Sequence, residues 1–296
     1  MNLFGRRGFL GAVSGGLGSL FLGQGRQDRP ITPTSAIGKT PHTKFAINIE
    51  MWWNQLPFLD RIKKTAEYGF PAVEFWPWQG KDIDAIAKLC QDLSITVAQF
   101  TAWGFVPGLN DPANHDKFVA AIEQGCVIAK RLQCKAMTVV GGNDQPNKTP
   151  REMHDSIIVG LKRAAPIAEA NDVMLILEPM NIRVDHKGHC LYGSPTAIRI
   201  CQEVASSHVK INWDLYHMQI SEGDLCGRLK EGYQEVGYLQ LADHPGRHEP
   251  GTGEIHYNRV LRQAYELGYR GYVGTECSPR ESEHQAALRV AAADVW

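Results

Sequence analysis

Short apolar runs recur along the chain, each followed by a stretch in which apolar residues return every three or four positions. The runs at 45–49, 72–75, 96–100, 136–140, 173–177, 209–213, 236–241 and 272–275 read as buried parallel strands. The intervening stretches at 56–68, 83–93, 116–132, 149–170, 195–204, 224–230 and 257–267 read as helices, and 281–295 as a closing one. Within 83–93, Ile83, Ile86, Leu89 and Leu93 fall on one helical face. Gly69 supplies one helix end, and Thr149-Pro150 a helix start. Strands alternating with helices in this way predict the α/β class and a single-domain (β/α)8 TIM barrel over residues 44–296. An open doubly wound sheet is the alternative, but no GxGxxG follows the first strand.

Four polar residues close, or nearly close, the last four strands. They are Glu178 in VMLILEPMN, Asp214 in VKINWDLYH, Gln240 in VGYLQLAD and Glu276 in GYVGTE. Successive members lie roughly 30 residues apart, the length of one βα unit of such a barrel. Their strand ends therefore face one shared pocket. Three carboxylates and an amide oxygen form a hard, oxygen-rich site suited to Mg²⁺ or Mn²⁺. Any one acid alone reads better as a cap of the next helix; four in register do not.

Composition narrows the function. The chain has 296 residues, 43% of them hydrophobic, enough for one large core. Lys and Arg number 31 against 32 Asp and Glu, a formal net charge of −1, so no nucleic-acid partner is expected. No apolar run reaches the roughly 20 residues of a membrane span. The seven cysteines include no CxxC pair, which argues against a disulfide framework or structural zinc. The GGND segment at 141–144 is too short a signal for a phosphate site.

The N-terminus has a different character. Arg6-Arg7 precedes Gly8-Phe9-Leu10 and a weakly apolar, glycine-rich stretch at 12–23. This pattern resembles the twin-arginine export signal, with no clean A-x-A cleavage site. Residues 24–43, rich in Pro, Thr and Gly, read as a linker, so that 1–43 forms signal plus linker. The twin-arginine route carries folded proteins, which suits a barrel loaded before transport and explains unpaired cysteines in an exported protein. A periplasmic or other extracytoplasmic location follows, or a cytoplasmic one if the signal does not function.

Longer segments carry a family resemblance. ADHPGRHEPGTGEIHY (242–257), LEPMNIRVDHKG (177–188), FAINIEMWWNQLPFLDR (45–61) and GFPAVEFW (69–76) resemble the hydroxypyruvate isomerase family of xylose isomerase-like barrels. The superfamily also contains ketose 3-epimerases and an abasic-site endonuclease. The resemblance implies Glu178, Asp214, Gln240 and Glu276 as metal ligands, Glu178 and Glu276 as catalytic carboxylates, and His217 and Arg247 as substrate-binding groups. Related epimerases usually carry histidine where Gln240 stands. His248 is a further pocket candidate, and Arg247 could grip a substrate carboxylate through two parallel hydrogen bonds. Trp52, Trp53, Trp76, Trp78 and Trp103 lie at early strand ends, where they would either wall the pocket or pack the rim.

The expected chemistry is interconversion of hydroxypyruvate and tartronate semialdehyde, or of a close keto-sugar analogue, with a small hydroxy-carbonyl or sugar as partner and no organic cofactor. A ketose 3-epimerase is the alternative enzyme. A non-catalytic exported sugar-binding barrel is the alternative of another class, disfavoured by retention of both glutamates. The sequence allows a homo-oligomer without specifying one. If Arg6 and Arg7 direct export, replacing both by Lys should leave the protein in the cytoplasm. Fractionation showing unchanged export of the double variant would exclude that role.

Overall fold

The computed structural model describes residues 35–296; the export motif and most of the linker lie outside the described residues. The strands are β1 (Lys44–Asn48), β2 (Ala72–Phe75), β3 (Thr96–Trp103), β4 (Ala136–Val140), β5 (Met174–Glu178), β6 (Val209–Asp214), β7 (Val236–Leu241) and β8 (Tyr272–Thr275). They pair in sequence order, all parallel, and β8 returns to β1 through Ala46 opposite Gly274, closing the barrel. The helices are α1 (Phe58–Glu67), α2 (Ile83–Leu93), α3 (His115–Leu132), α4 (Pro150–Ala170), α5 (Ser194–Val204), α6 (Leu215–Ser221), α7 (Leu225–Gly232), α8 (Tyr257–Glu266) and α9 (Glu283–Ala292). The barrel fold expected from the periodicity is therefore the fold found.

Local chemistry explains the helix starts. Thr149 and Glu152 form a reciprocal capping box at α4, Asp82 caps α2 through Ala85 N, and Ser282 caps α9 through Gln285 N. The differences from the sequence pattern fall near the site. β3 runs on to Trp103, and β5 and β6 absorb Glu178 and Asp214 as their last residues. Helix α6 was not anticipated: it follows β6 without a loop and is too short to show a periodic face.

Alternation along the strands sorts side chains into two compartments. Phe45, Ile47, Val73, Phe75, Leu175, Leu177 and Ile211 face the helices and form the main core. Inside the barrel, Ala46, Ala72, Ala98, Ala136, Ile176 and Tyr238 form a separate cluster. Interiors of such barrels are commonly layers of bulky branched residues; here the next layer is polar. The Glu74 carboxylate accepts from Asn48 Nδ2 (3.0 Å), Gln240 Nε2 (2.9 Å), Gln99 Nε2 (3.2 Å) and Tyr238 OH (2.9 Å). Thr138 donates to Gln99 Oε1, and Asn212 Nδ2 to Gln240 Oε1 (2.6 Å). Glu74, Asn48 and Asn212 are fully buried.

Gly274 on β8 makes room for this layer. A Cβ there would fall on the Glu74 carboxylate, which its four donors hold in place. Gly274→Ala should therefore destabilise the barrel by about 1–3 kcal/mol. Urea unfolding should show a lower midpoint at unchanged slope; an unaltered midpoint would mean the polar layer can yield.

Candidate active site

The carboxylates meet at the C-terminal mouth of the barrel. Glu178 ends β5, Asp214 ends β6 and Glu276 follows β8. Together with His217 they each offer a ligand atom, and these atoms lie within 4.8 Å of one another. Asp214 caps α6, its Oδ1 accepting from Tyr216 N (2.9 Å). One helical turn then brings His217 Nε2 to 3.5 Å from Asp214 Oδ2 and 3.8 Å from Glu178 Oε1. Glu276 is held from two sides: Trp76 Nε1 donates to Oε1 (2.7 Å), and Arg247 Nη2 to Oε2 (2.6 Å).

Arg247 is delivered by the glycine-rich loop after β7, where it adopts a left-handed conformation (φ 55°). That loop is wound around buried Asp243. Its Oδ2 accepts from the amides of Gly251, Thr252 and Gly253, and its Oδ1 from those of His244 and Ile255. The guanidinium also lies over the Tyr216 ring, 5.2 Å from its centre. His248, from the same loop, bonds through Nδ1 to the Ser278 carbonyl (2.7 Å) and is not among the residues lining the cavity.

Burial and crowding shape the electrostatics. Burial first, then repulsion from Glu276 and Asp214, raises the Glu178 pKa well above the carboxylate range. Asp214 is pushed up to about 7 by burial and by Glu276, with Arg247 opposing. Asp214 Oδ2 is buried with no hydrogen-bond partner among the described residues. Three crowded carboxylates with an unpartnered inward oxygen fit a hard divalent cation, which would relieve both the repulsion and the orphaned acceptor.

His217 fits the role of donor better than that of ligand. Asn181 Oδ1 accepts from the amides of Val184 and Asp185, which directs its Nδ2 to Asp185 Oδ2 (2.7 Å) and His217 Nδ1 (2.8 Å). Nδ1 therefore accepts, and the ring proton sits on Nε2, toward the carboxylates. Burial, then Arg247, lowers the His217 pKa well below its usual value, so the ring is neutral. Gln240 neighbours Asp214 in the β6–β7 register. Its amide nitrogen faces Glu74 and its oxygen accepts from Asn212, leaving that oxygen one further lone pair. The structure thus brings Glu178, Asp214, Glu276, His217 and Arg247 together, and sets Gln240 in the polar layer beside them.

Sequence reasoning missed Glu74, Asn181 and Asp243. Each lay within a segment already singled out, but nothing in its local pattern told a buried partner from a surface acid or amide. Cys277 is fully buried, and burial raises its thiol pKa, an environment that disfavours the thiolate. Of the early tryptophans, Trp76 and Trp103 line the cavity, while Trp52 and Trp53 pack in the core.

The xylose isomerase-like TIM barrel family model matches residues 62–293, and the chain belongs to that family. It is an isomerase by its relatives. It is 29% identical over 252 residues to the hydroxypyruvate isomerase of Escherichia coli (strain K12), covering 83% of this chain and 97% of that one. It is 33% identical over 249 residues to the 2-oxo-tetronate isomerase of Cupriavidus necator, covering 80% and 93%. Among solved structures, a family 2 AP endonuclease from Brucella melitensis superposes with a TM-score of 0.78 at 26% identity, covering 82% of this chain and 96% of that one.

The Asn181 network makes a direct prediction. Nitrogen-15 shifts of His217 should report a neutral ring protonated at Nε2. Asn181→Asp, which would accept from Nδ1–H and reverse the tautomer, should lower kcat/KM by about 10–100-fold, as changes to groups that orient a site residue commonly do. An Nδ1-protonated ring in the unmodified protein would exclude the arrangement.

Proposed function

We propose that this chain moves a proton between adjacent carbons of a hydroxy-carbonyl substrate, interconverting hydroxypyruvate and tartronate semialdehyde or a close keto-sugar analogue. The observation that carries this reading is the convergence of Glu178 and Glu276, from β5 and β8, on one cavity floor. One carboxylate removes the proton from the hydroxymethyl carbon, giving an enediolate. The proton returns on the former carbonyl carbon, and the hydroxyl proton passes between the two oxygens. The neutral His217 Nε2–H and the Arg247 guanidinium, which line the same cavity as the two glutamates, would donate to the oxygens on which negative charge develops.

Glu178, Asp214, Gln240 and Glu276 would hold a divalent cation, Mg²⁺ or Mn²⁺ by the hardness of their oxygens. When bound, it would supply Lewis-acid stabilisation of the enediolate. Glu74 supports the Gln240 assignment: an acceptor-only carboxylate fixes the amide nitrogen and keeps the oxygen turned away from it. The twin-arginine-like motif supports work outside the cytoplasm. A nuclease reading is disfavoured by the net charge of −1 and by a cluster holding one histidine. A 3-epimerase would use the same two carboxylates, and product analysis separates it from the isomerase.

Glu178→Gln and Glu276→Gln should each abolish turnover and solvent-deuterium incorporation while leaving the fold intact, because an amide cannot take the carbon-bound proton. Gln240→Leu should weaken Mn²⁺ binding measured by calorimetry. Activity within a few-fold of the unmodified enzyme in either glutamate variant would place the proton transfer elsewhere.

A further inference from the structure

Among the residues lining the cavity, Arg247 is the only lysine or arginine. Its side chain enters from a loop residue in the left-handed conformation and is 21% exposed. Among the described residues it makes one side-chain hydrogen bond, Nη2 donating to Glu276 Oε2 at 2.6 Å. Nε is buried without a partner there, and Asp214 Oδ2 lies 3.9 Å from Nη2. One bond at its tip leaves a long side chain a choice of rotamers. That bond is also made to a carboxylate which the proposed reaction itself engages. A second contact is needed to fix the guanidinium.

Tyr216 supplies it. Arg247 Cζ stands over the Tyr216 ring, 5.2 Å from its centre, inside the roughly 6 Å reach of a cation–π contact. The ring is itself fixed. It is 1% exposed, on the first turn of α6, and the Tyr216 amide donates to Asp214 Oδ1 at 2.9 Å. His217 and His244 pack against it, with ring centres at 5.4 and 5.9 Å. Its hydroxyl end lies toward Asp185, whose carboxylate accepts from Asn181 Nδ2 at 2.7 Å. One residue thus joins the turn that carries Asp214 and His217 to the loop that carries Arg247.

We infer that Tyr216 is a positioning residue: its ring face carries the Arg247 guanidinium and sets where that cation meets the substrate oxygens. The chemistry accounts for an aromatic partner. A guanidinium holds five N–H donors in its own plane. A second carboxylate would take up those donors and neutralise the charge. A ring face takes the cation from above and leaves the in-plane donors to Glu276 and the substrate. Tyr216 thereby ties both donors of the proposed reaction, His217 and Arg247, to one turn of α6. This rests on the proton-transfer reading above.

The test compares Tyr216→Leu with Tyr216→Phe, which keeps the ring. The first readout needs no turnover. It is the Nε–Hε signal of Arg247 in protein labelled with nitrogen-15 arginine, assigned by its loss in Arg247→Lys. Ring current should place this proton upfield of those of exposed arginines in the unmodified protein and in Tyr216→Phe, but not in Tyr216→Leu. The second readout is hydroxypyruvate isomerisation with Mn²⁺ present. Tyr216→Leu should lower kcat about tenfold and change KM by less than about twofold, because the misplaced donor serves charge that forms only during reaction. Tyr216→Phe should recover most of that loss. An unshifted Arg247 signal in the unmodified protein would overturn the proposal without any variant. A signal that stays in place in Tyr216→Leu, or moves equally in Tyr216→Phe, would also overturn it. So would an undiminished kcat in Tyr216→Leu, or a loss carried by KM alone, which marks a merely loosened cavity. A signal that moves only in Tyr216→Leu, with no turnover of hydroxypyruvate by the unmodified protein, would uphold the platform and sink the isomerase reading.

Discussion

A single buried carboxylate organises the barrel interior. Glu74 takes two donors on each oxygen, from β1, β3 and two positions on β7, and occupies the space left by a glycine on β8. Burial, then repulsion from Glu276, raises its pKa to about 7, while the donors from Gln240, Asn48 and Tyr238 pull the other way. A group in this position tolerates little change. Losing one hydrogen bond to a buried charged group generally costs about 1.5–3 kcal/mol. The network therefore specifies strand register as well as holding it, since a one-residue slip would turn every donor away.

The same network explains why the site was only partly legible in the sequence. Strand-end positions of Glu178, Asp214, Gln240 and Glu276 follow from the apolar runs alone, and so does the closed barrel. What the pattern could not show was which inward positions are polar. Asn48, Glu74 and Asn212 sit inside or at the ends of runs that read as apolar, and the register shifts beside Glu74 and Asn212 are invisible without their partners. Helix α6 escaped notice because its seven residues span too few turns to display a stripe. Yet it is this helix that turns His217 toward the carboxylates.

The loops show the same division between what sequence does and does not convey. The segment after β7 is rich in glycine and proline, residues that favour irregular backbone. Its conformation is set by Asp243, one carboxylate collecting five backbone amides from residues 244–255. With those amides satisfied, the loop keeps a fixed shape at the barrel mouth and aims Arg247 at Glu276. Asn181 plays a comparable part after β5, binding two amides with its oxygen and orienting an imidazole with its nitrogen. Both are short polar side chains that could equally have been turn residues facing water.

The two glutamates are not equivalent in this setting. Glu276 is clamped by an indole N–H and a guanidinium, which fix its orientation and compete for its lone pairs. Glu178 accepts no hydrogen bond among the described residues; the His217 Nε2–H lies 3.8 Å away. Burial and neighbouring acids raise its proton affinity. A carboxylate free of such donors is the better acceptor of a carbon-bound proton, whereas a clamped one is better placed to hold a substrate or cation in register. In the proposed reaction this asymmetry assigns the first proton abstraction to Glu178. Glu276, its position set by the Trp76 indole and the Arg247 guanidinium, then holds the other side of the reacting unit.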